Sequence, residues 1–370
     1  MRKVLYLTFD SVQEGVGASQ ALAYVKRLAK DFEIELISFE KEPPSQKLLQ
    51  EVSKYGITWK PMEFGRYGVT GGISRVFRLW RVINRQKVIH ARGNLSALSA
   101  MLRFPKAWIW DSRALHSDQR RAISGSSSLE YYFMRTVEYF LAKKSSSIIA
   151  ITEAVVPIMT SRYRVNRSKI HVIRTCVDTE LFEFSKIPNG NEVNVLLQGT
   201  FSNAYDLVLM NKIIKRMRDF KKVCVTVCTS RGSTNLWEKI DYDKIISVDY
   251  ADMPQVIAKS DLGMSIWREN LGICLKSVAS TKVAEFLAVG RPIIVNYSQG
   301  DLKNVVGQNG VGIVTSGITD VEVDQYVQDL WRILGEDGIE ERCRQIALEQ
   351  FNLDLAIEKL KKIYTDLSLT

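Results

Sequence analysis

The stretch Lys276-Ser-Val-Ala-Ser280-Thr281-Lys282-Val-Ala-Glu285-Phe-Leu-Ala-Val-Gly290-Arg-Pro292-Ile-Ile-Val295 reads as loop, helix, stop and strand. Ser280 or Thr281 can cap a helix whose first N–H groups lack intrahelical partners. Val283, Phe286 and Leu287 fall at i, i+3 and i+4, which gives the helix one buried face. Gly290 can end it in the left-handed conformation, and Pro292 keeps it from resuming. The apolar run that follows suits a strand buried on both faces of a parallel sheet. A helix that delivers the chain into such a strand is the repeating unit of an α/β fold.

Lys282 and Glu285 lie three residues apart at the start of that helix, on a shared face. The helix dipole disfavours a cation in the first turn by about 0.3–1 kcal/mol. An anionic ligand at the helix N-terminus offsets that cost. A diphosphate there, with Glu285 accepting hydrogen bonds from ribose hydroxyls, is chemically coherent. An ordinary Lys–Glu surface pair fits the spacing equally well.

The same alternation runs outward in both directions. Strand-like runs occur at Val4–Phe9, Glu33–Phe39, Ile57–Met62, Lys87–His90, Ala107–Asp111, Ile148–Thr152 and Ile170–Ile173, with helical patterns between them. Periodicity is lost from Arg174 to Gly190. A second series follows at Val193–Leu197, Val223–Cys228, Ile245–Val248, Leu262–Ile266, Ile293–Asn296 and Gly312–Val314, and the tail from about 318 is helical. The reading is α/β, with two tandem Rossmann-like, doubly wound domains facing an interdomain cleft. Residues 1–175 form the first domain and 191–351 the second, with a linker at 176–190. A C-terminal helix at about 352–370 is expected to pack back on the first domain. Open α/β sheets bind ligands at the carboxyl ends of their strands, so both sets of ends should meet ligands.

Composition narrows the partners. Of 370 residues, 46% are apolar and 25% charged, which excludes a disordered chain, collagen or a small disulfide scaffold. Residues 1–175 carry 29 Lys/Arg against 14 Asp/Glu, whereas 176–370 carry 22 against 27. One half therefore suits an anionic partner. Five cysteines at 176, 224, 228, 274 and 343 lack zinc-ligand spacing and read as buried reduced thiols. The N-terminal apolar run is too short for a signal peptide, and none approaches the ~18 residues a spanning helix needs. Ile73, Val76, Phe77, Trp80 and Ile83 recur at helical spacing among Arg75, Arg78, Arg81 and Arg85. Such a helix fits an anionic membrane surface, and it also fits a crossover helix with its arginines in solvent. Asp241-Tyr-Asp243 reads as a surface turn. No nucleic-acid motif accompanies the charge, so no nucleic-acid partner is expected.

In the first half, Gly15-Val16-Gly17 follows the first strand, and its small residues permit close approach of backbone amides to a ligand or simply a tight turn. His90, Arg92, Asp111, Arg113 and His116 fall at or just past strand carboxyl ends. His116 with Asp118 can serve as an acid/base pair or be an exposed loop histidine.

These segments, in this order, resemble the GT-B glycosyltransferases of the family 4 type. Ser280-Thr-Lys-Val-Ala-Glu-Phe-Leu-Ala-Val-Gly-Arg-Pro292 is similar to that family's donor segment, and Gly15-Val-Gly17 to its glycine-rich loop. Trp110-Asp-Ser-Arg113, Ile149-Ala-Ile-Thr-Glu153, Cys176-Val-Asp-Thr-Glu-Leu-Phe182 and Gln198-Gly-Thr200 resemble later landmarks. The resemblance implies a retaining, metal-independent hexosyltransferase using a UDP- or GDP-sugar and no cofactor. Its acceptor would be a glycan or polyprenyl-linked molecule in cell-surface polysaccharide or glycoconjugate synthesis. Lys282, Glu285, Ser280, Thr281, Gly199, Thr200 and Arg268 would bind the donor. Gly15, Val16, Gly17, His90 and Arg92 would meet the acceptor, and Asp111, Arg113 and His116 would serve catalysis. The expected location is cytoplasmic, peripheral at the inner face of the plasma membrane. Two departures stand out. Ser277 occupies the position of the family's first acidic residue, and Gly199–Tyr205 lacks the usual cations. A non-catalytic nucleotide-sugar-binding protein is the alternative these departures leave.

Overall fold

The computed structural model describes residues 2–84, 88–125, 127–188, 190–229 and 235–369, so Arg85 and Lys87 lie outside it. The chain divides into two units, residues 1–174 with 353–370 and residues 175–352.

The first unit begins with β1 (Arg2–Thr8), α1 (Gly15–Gly17), a π turn and α2 (Ala23–Leu28) in unbroken succession, β2 (Phe32–Glu40), α3 (Gln46–Ser53), β3 (Thr58–Glu63) and α4 (Gly68–Val82). It continues through β4 (Val88–Arg92), α5 (Asn94–Met101), β5 (Trp108–Asp111), α6 (His116–Ser124), α7 (Ser128–Lys144), β6 (Ser147–Ala150), α8 (Val156–Tyr163) and β7 (Ile170–Val172). Its seven strands run in the order β3-β2-β1-β4-β5-β6-β7, all parallel. The central strands are buried from Val4 in β1 and throughout β4 and β5 because crossover helices cover both faces, which is why they read as apolar runs.

The second unit holds β8 (Val193–Gln198), α9 (Leu207–Phe220), β9 (Val223–Cys228), β10 (Lys244–Ile246), α10 (Met253–Ala258), β11 (Leu262–Ser265), α11 (Thr281–Val289), β12 (Ile293–Asn296), β13 (Gly312–Thr315), α12 (Asp320–Leu334) and α13 (Ile339–Gln350). Its strand order is β10-β9-β8-β11-β12-β13, again parallel. The last helix, α14 (Leu353–Leu367), belongs to the first unit and packs on α2.

Each sheet reverses its winding direction once, at β1/β4 and at β8/β11. The crevice outside the strand carboxyl ends at such a switch point is where this architecture leaves room for a ligand. The loops after Thr8 and Arg92 open there in the first unit, and those after Gln198 and Ser265 in the second.

Several local expectations change. The connection from β12 to β13 is a π helix at Lys303–Gln308, where an ordinary crossover helix would be expected. The arginine-bearing helix starts at Gly68, and its sides are not those the periodicity implied. Arg75 is buried, stacked on Phe64 and donating to the Phe64 and Arg66 carbonyls at 2.9 and 2.7 Å, whereas Ile73 and Phe77 face solvent. Asp241 and Asp243 both pair with Arg218, in line with a surface turn. All five cysteines are buried thiols, none in a disulfide.

Packing of α11 on its sheet depends on Gly263 in β11, where a Cβ would lie 2.5 Å from the Phe286 ring. The turn out of α11 is held by Arg291, which is fully buried. Its guanidinium donates to the carbonyls of Ser260 (2.6 Å), Ala258 (2.8 Å) and Lys186 (2.8 Å), tying α11 to the segment that enters β8. Burial pulls its pKa down to about 10, so it remains charged at neutral pH. Arg291→Leu strands these buried carbonyls, each costing about 1–3 kcal/mol. A loss of at least about 3 kcal/mol is therefore expected, read as a lower urea midpoint at unchanged slope.

Candidate functional site

In the second unit, β8 ends on Gln198, and Gly199 follows it directly beside the first turn of α11. Gly199 has φ +110°, and a Cβ on it would sit 2.8 Å from Lys282 Cε and 2.9 Å from Nζ. Only glycine lets the lysine lie across the strand end. The ammonium donates to the Tyr205 hydroxyl at 2.9 Å, and Gln198 Nε2 donates to the Glu285 carboxylate. Glu285 is 5% exposed, so the pair is not the surface pair that spacing allowed.

Burial disfavours both charges. It raises the Glu285 pKa to about 7 against the opposing pull of Lys282, Gln198 and Tyr250. Burial would also lower that of Lys282, but Tyr205 and Glu285 outweigh it and the net shift is upward. The lysine is thus a firm cation, and the glutamate is a carboxylate short of donors, suited to a ligand that brings hydroxyl groups.

The flanking residues are placed as follows. Ser280 occupies the N-cap position, but its side chain makes no capping bond and pairs with Ser265 Oγ at 3.3 Å. The expected cap is replaced by this tie to the end of β11, leaving the helix amides without that side-chain acceptor. Thr281 opens the helix, and Thr200 is exposed after Gly199. Arg268 is exposed, and its Nε donates to the Tyr205 carbonyl at 3.2 Å. Ser277 turns its hydroxyl inward to the Cys274 carbonyl at 2.8 Å.

In the first unit, four expected residues form one cluster at the switch point. Asp111 lies 3.3 Å from Arg113 Nη1, 3.3 Å from His90 Nε2 and 3.6 Å from Arg92 Nη1, while Arg92 Nε donates to Asp10 at 3.1 Å. Arg92 Nη1 has no hydrogen-bond partner among the described residues. Burial pushes the Asp111 carboxyl up, but Arg113, His90 and Arg92 outweigh it and hold it far below the usual range. Arg113 keeps about a fifth of its side chain in solvent. His90 is 2% exposed, stacked on Tyr6, and burial lowers its pKa.

His116 begins α6, half-buried, and burial and Arg120 lower its pKa. The expected His116–Asp118 pair does not form. Asp118 is bound instead by Arg162 and the Tyr131 hydroxyl, a stronger tertiary partner winning over a sequence neighbour. The first turn of α6 is held by the buried Glu138, which accepts from Ser117 N at 2.9 Å and Ser117 Oγ at 2.8 Å. Gly15 has φ +55°, Val16 is exposed, and a Cβ on Gly17 would meet the Ser11 carbonyl oxygen at 1.7 Å. That loop is therefore a forced close approach of backbone to backbone.

Residues 17–181, a little under half of the chain, match the family described as Glycosyltransferase Family 4. The chain resembles the family 4 glycosyltransferases and has their GT-B fold. A glycosyltransferase from Rickettsia africae superposes with TM-score 0.69 at 14% identity, covering 99% of this chain and 98% of that one. Sucrose-phosphate synthase from Thermosynechococcus elongatus gives TM-score 0.72 at 12% identity, covering 99% of each chain. Anabaena HepE, solved in complex with UDP and glucose, gives 0.68 at 14% identity, covering 99% of this chain and 100% of that one. No curated protein matches the chain in sequence.

Sequence reasoning missed Gln198, Tyr205 and Tyr250 as partners of the Lys–Glu pair. Gln198 and Tyr205 stood in quoted segments, but nothing local marks which helix they reach. One consequence is measurable without ligand. The folded state holds the Glu285 proton more tightly than the unfolded chain does, so this group's stabilising contribution is lost as pH rises from 4.5 to about 7. Glu285→Gln removes that dependence. Urea denaturation from pH 5 to 8 should show the variant gaining on the wild type with rising pH and levelling off above about 7.

Proposed function

We propose that the chain is a retaining, metal-independent glycosyltransferase. It moves a hexosyl unit from a UDP- or GDP-sugar to a hydroxyl of a glycan or lipid-linked acceptor in cell-surface polysaccharide or glycoconjugate synthesis. The observation that carries the reading is the buried Glu285 beside the half-buried Lys282 at the start of α11, joined to the β8 end through Gly199, Gln198 and Tyr205. The fold likeness to HepE, whose solved complexes hold UDP and UDP-glucose, supports it.

In this reading Lys282 and the first amides of α11 bind the diphosphate, and Glu285 accepts from the ribose hydroxyls. The bond from the anomeric carbon to the β-phosphate oxygen breaks as the acceptor oxygen bonds to the same face. The acceptor proton passes to the departing phosphate, so no protein base is required. Lys282 and the oriented amides stabilise the charge that builds on the leaving group. Asp111 and Arg113 orient the acceptor. Ser277 supplies no carboxylate to the donor sugar, which sets this chain apart in how it recognises that sugar. Glu285→Ala should abolish thermal protection by nucleotide sugars and reduce transfer at least a hundredfold. Transfer at the wild-type rate refutes the assignment, and full protection with no transfer by the wild type favours the non-catalytic reading.

Access to a lipid-linked acceptor has its own support. Between Glu63 and Asp111 the chain carries nine Lys/Arg and no Asp or Glu. On α4 and beyond α5, Tyr67, Val69, Ile73, Phe77 and Phe104 are exposed beside Arg66, Arg81 and Lys106. Trp80 Nε1 donates to the Leu102 carbonyl at 3.2 Å, and Arg103 lies over the Trp80 ring, so the two helices present one surface. Such a surface suits peripheral binding to an anionic bilayer from the cytoplasmic side, each cation adding about 1 kcal/mol. Among the described residues no helix is long and apolar enough to cross a membrane. The protein should co-sediment with phosphatidylglycerol vesicles and not with phosphatidylcholine vesicles. Phe77→Ser combined with Phe104→Ser should weaken binding several-fold. Unchanged binding by the double variant contradicts this surface.

A further inference from the structure

His90 sits between two partners supplied by distant parts of the chain. Its Nε2 is 3.3 Å from the Asp111 carboxylate, and its Nδ1 is 2.7 Å from the hydroxyl of Tyr364 on α14. Tyr364 is fully buried. The Tyr6 ring stacks on His90 at 4.4 Å with an interplanar angle of 22°, which blocks rotation of the imidazole. Phe32 packs edge-on against Tyr364 at 5.3 Å.

Burial lowers the His90 pKa and disfavours the imidazolium, and the geometry then leaves one arrangement of protons. If Nδ1 carried the hydrogen, the Nε2 lone pair would face a buried carboxylate across 3.3 Å. A neutral imidazole with its hydrogen on Nε2 donates to Asp111 instead and needs a donor at Nδ1. The Tyr364 hydroxyl is that donor, and burial keeps it protonated by raising its pKa well above the ordinary value. Asp111 then receives N–H donors from His90 and Arg113, with Arg92 alongside.

We propose that Tyr364, on the C-terminal helix, is a positioning residue whose hydroxyl donates to His90 Nδ1 and holds the imidazole so that its Nε2–H stays aimed at Asp111, which sets the orientation of Asp111 and Arg113 toward the acceptor. The consequence for turnover rests on the reading above that Asp111 and Arg113 meet the acceptor; the hydrogen bond to Nδ1 does not. The C-terminal segment thus acts on the strand ends of β4 and β5 through a three-residue chain, Tyr364–His90–Asp111, that begins 274 residues away in sequence.

The test is ¹⁵N NMR of histidine-labelled full-length protein, combined with kinetics. The wild type should show a neutral His90 with its hydrogen on Nε2 at pH 7. A hydrogen on Nδ1, or an imidazolium, overturns the proposal whatever the variants do. Tyr364→Phe should keep the Nε2–H tautomer that Asp111 requires, move the Nδ1 signal toward that of an unbonded lone pair, and lower kcat about ten- to a hundredfold, with KM for the nucleotide sugar unchanged. Phe32→Leu trims the packing but keeps the hydroxyl. It should lower Tm and leave the Nδ1 signal and kcat alone. A Tyr364→Phe protein with the wild-type Nδ1 signal, or with a shifted signal and wild-type kcat, makes the hydroxyl mere packing and overturns the positioning role. If the wild type transfers no sugar at all, the functional reading fails, and the Nδ1 signals alone decide whether Tyr364 holds His90.

Discussion

Burial of Glu285 beside Lys282, at the N-terminal turn of a helix, is the constraint around which the second unit is arranged. The glutamate is buried and the lysine half-buried, so water stabilises neither charge fully, and the lysine also opposes the helix dipole. The pair persists because its members have neutral partners, Tyr205 for the ammonium and Gln198 and Tyr250 for the carboxylate. It persists also because Gly199 leaves out the side chain that would displace the lysine. Even so, the carboxylate keeps a raised pKa. Such a group is poorly satisfied at rest and better satisfied when a ligand donates hydrogen bonds to it, which is the signature of a binding position rather than of a structural salt bridge.

The remainder of the unit serves that arrangement. Gly263 admits Phe286, so α11 seats closely on β11. Arg291 then holds the far end of the helix by bonding to carbonyls from two distant chain segments. The first unit uses the same topology with different chemistry. Its switch point holds a carboxylate ringed by cations and a neutral histidine, and its helical layer exposes aromatic side chains among arginines and lysines. The excess positive charge of the first half therefore has two destinations, a buried cluster at the strand ends and an outer surface.

Much of this was legible in the residues. Parallel strands buried on both faces leave continuous apolar runs, and the loops between such runs place Gly199, Lys282, Arg92 and Asp111 at strand ends. The partners were not legible, because they are chosen by packing between segments far apart. Lys282 and Glu285 look like a surface pair until Gln198 and Tyr205 arrive, and His116 and Asp118 look like a pair until Arg162 takes the aspartate. Arg75 lies on the side of α4 that meets Phe64, a stacking that helical spacing does not encode. Tyr364 carries no local sign that its hydroxyl ends against His90.

The most direct measurement of the central claim is the proton balance of nucleotide-sugar binding, by calorimetry at pH 6.5 in buffers of different ionisation enthalpy. The diphosphate of a nucleotide sugar has no proton to exchange there, so any release comes from the protein. Because ribose hydroxyls would stabilise the Glu285 carboxylate, binding should release a proton fraction that vanishes in Glu285→Gln. Tight binding with no proton released, or with equal release by the variant, would contradict the placement of the ligand on this pair.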